Sequence, residues 1–268
     1  MEGVMLNKIT SAFMTGSLLA AVGFAGFSAT AANAASAASA ATGAATAKAT
    51  AAVASYTPAK RTLKVGDRGS DVKALQQRLA QLKYNPGGTD GNFGQNTEEA
   101  VWAFQAVQGL AVDGVVGPAT QRALVHPRSP VSHDPRGGKL RVEVNLKLQV
   151  LLLYRGGQLA LVSHVSSGGG YYFCDPGTSN CSHAITPTGN YHAELFLPGW
   201  VKVPLGEMYN PVFFIGSVYA IHGDTYVPAK PVSHGCVRIP MFIAQYFHTL
   251  VKVSSNTKIA TPVYIYKG

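Results

Sequence analysis

Leu140-Arg141-Val142-Glu143-Val144-Asn145-Leu146 alternates apolar and polar side chains at every step. Successive side chains on a strand point to opposite faces, so this period of two predicts a half-buried β-strand. Leu148 to Tyr154 follows as a more continuously apolar strand, Gly156-Gly157 supplies a hairpin turn, and Leu159 to Ser166 returns. Further apolar, β-rich runs occupy Val212 to Ile221 and Thr261 to Tyr266, and one helix is expected from Pro240 to Val251. Residues 139–267 therefore read as a mainly-β domain.

Upstream the period changes. Val72, Leu75, Leu79 and Leu82 recur at helical spacing, with Lys73, Gln76, Gln77 and Arg78 between them, until Asn85-Pro86-Gly87-Gly88 stops the run. A second helical run from Glu98 to Gln108 carries Val101, Trp102, Phe104 and Val107 and ends at Gly109. Pro118 opens a short third helix with Ala123 and Leu124. Asp90-Gly91-Asn92-Phe93-Gly94-Gln95-Asn96-Thr97 matches Asp113-Gly114-Val115-Val116-Gly117-Pro118-Ala119-Thr120 at an offset of 23 residues. Each copy is an Asp-Gly turn, an apolar plug (Phe93 or Val116), a glycine and a helix start with a threonine. A Val65-Gly66-Asp67-Arg68-Gly69-Ser70-Asp71-Val72 lead-in precedes them. Residues 61–125 thus form a small three-helix domain. Residues 126–138 read as a Pro- and Gly-rich linker whose His126 and His133 are expected to be solvated. The fold class is α+β and multidomain.

The first sixty residues are different again. Lys8 precedes an apolar stretch from Ser11 to Phe27, and Ala32-Asn33-Ala34 and Ala29-Thr30-Ala31 are small-x-small cleavage candidates. Residues 1–34 therefore read as an export signal, with an uncleaved anchor as the alternative. Residues 35–60, rich in Ala, Ser and Thr, read as a disordered tether. Export fits the cysteine count of three. Cys174 and Cys181 bracket Asp175-Pro176-Gly177-Thr178-Ser179-Asn180, turn chemistry throughout, and are expected to pair, which leaves Cys236 as the free thiol. Three unpaired or metal-binding cysteines are the alternative. The formal charge of +9 is unchanged when residues 1–34 are removed, since Glu2 and Lys8 cancel. It suits an anionic envelope or polymer, or simply a soluble basic surface. No basic run interleaved with aromatics suggests nucleic acid.

The chemistry converges on Ser233-His234-Gly235-Cys236-Val237-Arg238 and the upstream Ile221-His222-Gly223. A thiol is a weak nucleophile until it loses its proton, and a neighbouring imidazolium favours that loss. His234 lies two residues before Cys236 and His222 fourteen, and a glycine follows each histidine. Nucleophile, base and open backbone amides are what a thiolate acyl-transfer site needs. The amides around Gly235 and Cys236 are the expected oxyanion donors.

These residues carry a resemblance to the L,D-transpeptidase catalytic domain. Ser166-Ser167-Gly168 and Thr186-Pro187-Thr188-Gly189 support it. The paired Asp-Gly repeat resembles the peptidoglycan-binding three-helix module often attached to wall enzymes. The resemblance implies an exported enzyme acting on peptidoglycan stem peptides. In it Cys236 is the nucleophile and His222, in the upstream His-Gly, is the base, with His234 as the alternative base or a shaper of the site. Ser233 holds a histidine or the loop. Arg238 pairs with a substrate carboxylate or braces the loop. Gly223 and Gly235 complete the supporting set. D-Alanine leaves from a tetrapeptide stem, a thioacyl-enzyme forms, and an amine acceptor gives a 3→3 crosslink; water as acceptor gives an L,D-carboxypeptidase. No cofactor is implied.

Asp224 stands where a hydroxyl residue is more usual, so the group that orients His222 is open between Asp224 and others. The Cys174–Cys181 loop is an insertion, either a cap over the site with Tyr171, Tyr172 and Phe173 or a stapled surface loop. Tyr209, Phe213 and Phe214 are expected in the core, with the lining of a groove for the stem peptide as the alternative. Two rivals belong to other classes. One is a zinc wall peptidase using His222, His234 and Cys236, with His183 or His192 as a further ligand. The other is a wall-binding protein without catalysis.

Overall fold

The computed structural model describes residues 56–255 and 259–268. The expected export signal and most of the tether lie outside the described residues. Three helices come first: α1 (Ser70–Gln81), α2 (Gln95–Gln108) and α3 (Pro118–Val125). They pack around Leu75, Leu79, Phe93, Val101, Phe104, Val116 and Leu124. Tyr56 and Ala59, in the stretch read as tether, pack against the same cluster.

The two repeat turns are fixed by buried glutamines. Gln76 Nε2 donates to Asp90 Oδ1 at 2.9 Å, Asn92 O at 3.0 Å and Thr97 Oγ1 at 3.1 Å. Gln105 Nε2 donates to the corresponding Asp113 Oδ1, Val115 O and Thr120 Oγ1 at 2.7, 3.1 and 3.2 Å. Each glutamine oxygen takes the amide of the turn glycine, Gly91 or Gly114. A buried amide keeps its place only when its donors and acceptors are met, and these are.

The β region runs β1 (Arg141–Asn145), β2 (Val150–Arg155), β3 (Gln158–His164), β4 (Tyr172–Cys174), β5 (Cys181–His183), β6 (Gly189–His192), β7 (Leu195–Phe196), β8 (Trp200–Val203), β9 (Gly206–Ile215), β10 (Tyr219–Asp224), β11 (Val237–Pro240), helix α4 (Met241–Leu250) and β12 (Pro262–Tyr266). One sheet has the order β3-β2-β1-β12-β6, and a second has β11-β10-β9-β7 with β8 on β9. The pairs β1–β12 and β10–β11 are parallel. Val144, Leu151 and Val263 from the first sheet meet Phe214, Ile221 and Ile239 from the second, with Ile243 and Phe247 of α4. The apolar run Val212 to Ile221 is not one strand: β9 and β10 turn about Gly216, whose φ is 51°.

Strand β2 explains its own unbroken hydrophobicity. Leu151 and Leu153 face the core between the sheets, while Val150, Leu152 and Tyr154 join the core of the helical module. A strand buried on both faces reads as continuously apolar. The helices therefore close over the outer face of the first sheet.

The alternating strand β1 departs from the expected half-exposure. Arg141 and Glu143 are buried, with side-chain exposures of 4% and 0%, and pair at 2.7 Å. Arg141 also lies 3.7 Å above the Tyr154 ring. Glu143 accepts the Ser132 hydroxyl at 2.8 Å and the His133 amide at 2.7 Å. The stretch read as a linker covers this face, and His133, expected to be solvated, stacks on Tyr266 with ring centroids 4.1 Å apart.

Candidate active site

Strands β10 and β11 lie side by side in parallel, with Ile221 opposite Val237 and His222 opposite Arg238. The pairing of β9 with β10 is irregular between Ile221 and Gly223. Such a bulge re-aims the residue within it, here His222. His222 is 4% exposed. Its Nδ1 lies 2.9 Å from the Gly223 carbonyl oxygen. A carbonyl only accepts, so Nδ1 carries the proton in the neutral ring and Nε2 keeps its lone pair.

Cys236 ends the loop that returns from β10. The amide of Ala220 donates to its Sγ at 3.4 Å, and the thiol points to the Val218 carbonyl at 3.7 Å. Cys174 and Cys181 are bonded to each other, and Cys236 is free. Cys236 and His222 line one cavity of about 460 Å³, together with Ser233, His234 and Arg238.

The turn before Cys236 is tied by a single hydroxyl. Ser233 Oγ donates to the Cys236 carbonyl at 2.5 Å and accepts the Gly235 amide at 3.0 Å. The Ser233 hydroxyl thus bonds within its own loop. The Gly235 amide, expected as an oxyanion donor, is committed to this contact. Gly235 has φ 144°, and a Cβ there would sit 2.6 Å from the Tyr219 ring, so glycine is required. Thr186 Oγ1 locks the turn from outside: it donates to the Gly235 carbonyl at 2.7 Å and accepts the Gly168 amide at 2.9 Å. A Cβ on Gly223 would meet Ala244 Cβ at 2.7 Å, so that glycine lets β10 lie close to α4.

The other candidates divide. His234 is packed edge-on by Phe173 at 4.7 Å and Tyr171 at 5.5 Å between centroids. It meets the disulfide-closed hairpin β4–β5, and Phe173, Asp175, Pro176, Thr178 and Ser182 of that hairpin also line the cavity. Arg238 forms an ion pair with Asp224 at 3.3 Å. Asp224 therefore faces Arg238, and the hydrogen bond that orients His222 comes from the main chain. Phe213 and Phe214 are buried as expected, and Phe213 joins Met208 and Ala220 in a small cluster against which Cys236 packs. Among the described residues no three His, Cys, Asp or Glu side chains are placed to hold a metal ion.

Sequence reasoning passed over Gln149. It sits at φ 51° and grips Ser167, accepting its amide and donating to its hydroxyl, both at 2.8 Å. Ser167 in turn accepts the Ser233 amide at 2.9 Å. Nothing in the local pattern marks a glutamine for such a role.

Burial sets the protonation of the pair. It pushes the Cys236 thiol above its ordinary value, outweighing the Ala220 amide and Arg238, which pull it down. It pushes His222 down, outweighing the Gly223 carbonyl and Asp224, which favour the cation, while Arg238 adds to the fall. Burial also lowers His234, with Arg238 adding and Asp175 opposing. Both shifts favour the uncharged form, the thiol of Cys236 and the neutral imidazole of His222.

Fold and pocket together define a protein with a cysteine–histidine centre on packed β-sheets, preceded by a helical module. Residues 139–265 match the L,D-transpeptidase catalytic domain, and residues 68–124 match a peptidoglycan binding domain. A crystal structure of residues 123–326 of an L,D-transpeptidase from Xylanimonas cellulosilytica DSM 15894 is 36% identical, covers 78% of this chain and all of that one, and has a TM-score of 0.69. The chain belongs to the L,D-transpeptidase catalytic domain family. Among curated proteins, 64 residues are 48% identical to the N-acetylmuramoyl-L-alanine amidase CwlL of Bacillus licheniformis, over 23% of this chain and 18% of that protein. Another 64-residue match is 45% identical to the zinc D-Ala-D-Ala carboxypeptidase of Streptomyces albus G, over 22% of this chain and 24% of that protein. The chain thus spans about a fifth of the length of these curated relatives. Among the described residues no helix is long and apolar enough to cross a membrane.

Proposed function

We propose that this protein is an exported peptidoglycan L,D-transpeptidase in which Cys236 is the nucleophile and His222 the general base. The observation that carries the reading is one cavity holding a free thiol and a buried imidazole whose Nε2 is left with its lone pair. Both groups start neutral, so the proton passes from Sγ to Nε2 as sulfur attacks the carbonyl of the third stem residue. The tetrahedral species collapses as the imidazolium gives that proton to the departing D-alanine nitrogen. A thioester on Cys236 remains. An acceptor amine then attacks, His222 takes its surplus proton, the thiolate leaves and recovers that proton from His222, and the 3→3 crosslink is formed. Water in place of the amine yields a tripeptide, the L,D-carboxypeptidase outcome of the same intermediate.

Stem peptides and glycan are the partners in this reading, with residues 61–125 as the wall-binding module. The N-terminal pattern of residues 1–34 supports export, and the charge of +9 favours an anionic envelope. Incubation of the mature protein with disaccharide-tetrapeptide, followed by mass spectrometry, tests the reaction. A dimer lacking one D-alanine is the expected product. Tripeptide alone would reassign the enzyme as a carboxypeptidase, and unchanged substrate would refute both.

A further inference from the structure

Helix α2 carries Gln95, Glu99 and Trp102, spaced by four and three residues and hence on one face. That face meets the loop joining His222 to Cys236. Gln95 Nε2 donates to the Thr225 carbonyl at 2.9 Å. Glu99 Oε1 accepts from Gln95 Nε2 at 3.1 Å and from the Val227 amide at 3.4 Å. Trp102 packs edge-on against His164 at 5.3 Å between centroids, and His164 Nε2 donates to the Pro228 carbonyl at 2.9 Å.

The fastening continues to the nucleophile. Ser166 Oγ donates to the Lys230 carbonyl at 2.8 Å and accepts the Val232 amide at 3.2 Å. Ser167 accepts the Ser233 amide at 2.9 Å. Connecting segments are ordinarily the mobile parts of a fold. This one is tied at residues 225, 227, 228, 230, 232 and 233, and its first two ties come from the helical module. Its path decides where Sγ stands relative to Nε2.

Glu99 is an unusual residue for a helix that only anchors. It is 1% exposed, and its Oε2 is buried without a hydrogen-bond partner. Burial pushes its carboxyl up to about 7, with Glu98 adding to the rise and Gln95 and the Val227 amide opposing it. A buried carboxyl without full hydrogen bonding is costly to keep.

The geometry points to the helical module as part of the catalytic framework, with Gln95 and Glu99 as positioning residues that act on the Cys236–His222 pair through residues 225–233. This goes beyond wall binding, and it rests on the reading of Cys236 and His222 as nucleophile and base. The test compares full-length Gln95→Ala/Glu99→Ala with wild type and with Glu99→Gln, whose side-chain oxygen still accepts the Val227 amide. With soluble disaccharide-tetrapeptide, kcat should fall about tenfold in the double variant, because small displacements of reacting groups cost rate. KM and co-sedimentation with purified sacculi should stay within about twofold, and Glu99→Gln should recover most of kcat. Alkylation of Cys236 by iodoacetamide reads the same alignment without substrate and should slow about threefold or more in the double variant. Equal kcat and equal alkylation rates in wild type and a folded double variant would overturn the inference. So would an unchanged kcat with lost sacculus binding, since the residues would then serve only the wall. If wild type fails to turn over the tetrapeptide, the proposed reaction falls, and alkylation still decides the positioning role. Thermal melts by circular dichroism confirm that each variant is folded.

Discussion

Two kinds of turn organise this molecule, and they differ in what they leave unspent. In the helical module, the Asp90 and Asp113 turns are closed by Gln76 and Gln105, each of which uses both ends of its amide. In the β region, the turn from Ser233 to Cys236 is closed by Ser233 and Thr186. That closure leaves the Cys236 thiol facing a cavity and His222 Nε2 with its lone pair. Both turns are closed by side-chain hydrogen bonds. Only the second spends its hydrogen bonds on holding reactive atoms in place instead of consuming them, and this separates a structural polar cluster from a candidate catalytic one.

Truncating the anchor of each turn should therefore have different consequences. Ser233→Ala should lower kcat on a soluble tetrapeptide donor by about a hundredfold, because it releases both the Gly235 amide and the Cys236 carbonyl. Gln105→Ala should instead cost about 3 kcal/mol of stability, read as a lower denaturant midpoint, because it leaves buried turn groups without partners. If Ser233→Ala lost only stability, the distinction between the turns would fail.

A smaller effect concerns protonation. Burial holds the thiol above and the imidazole below their ordinary values, which favours the uncharged form of both at neutral pH. The ultraviolet absorbance of wild type minus Cys236→Ser should show little thiolate at neutral pH and should rise at higher pH than for an ordinary cysteine. The acid limb of kcat/KM should have its midpoint below 6.5, since lowering the imidazole extends its basic form to lower pH. A thiolate at neutral pH would mean that the pair is ionised before substrate arrives.

Much of this was readable from the chain. Helical spacing locates α1 to α3, alternation locates β1, and the turn residues between Cys174 and Cys181 foretell their bond. What was hidden concerns the second face of an element. Alternation at Arg141 and Glu143 says that two polar side chains share a face, but not that residues 132–133 will cover them. The continuous run in β2 carried the trace of a second core on its outer face, yet such a run equally describes any buried strand. At the site, nucleophile and base stand in a local motif. The group that orients His222 does not, because it is a main-chain carbonyl that any residue could present. Nor does sequence reveal that burial pushes the thiol up.

In the proposed reaction Cys236 carries the acyl group and His222 moves the proton. Intact-mass measurement of enzyme quenched in acid during turnover of disaccharide-tetrapeptide reads both roles. The expected result is a mass increase equal to the donor minus D-alanine, mapped to the peptide containing Cys236 and abolished in both Cys236→Ser and His222→Ala. Product formation by Cys236→Ser, or an adduct on any other residue, would contradict it.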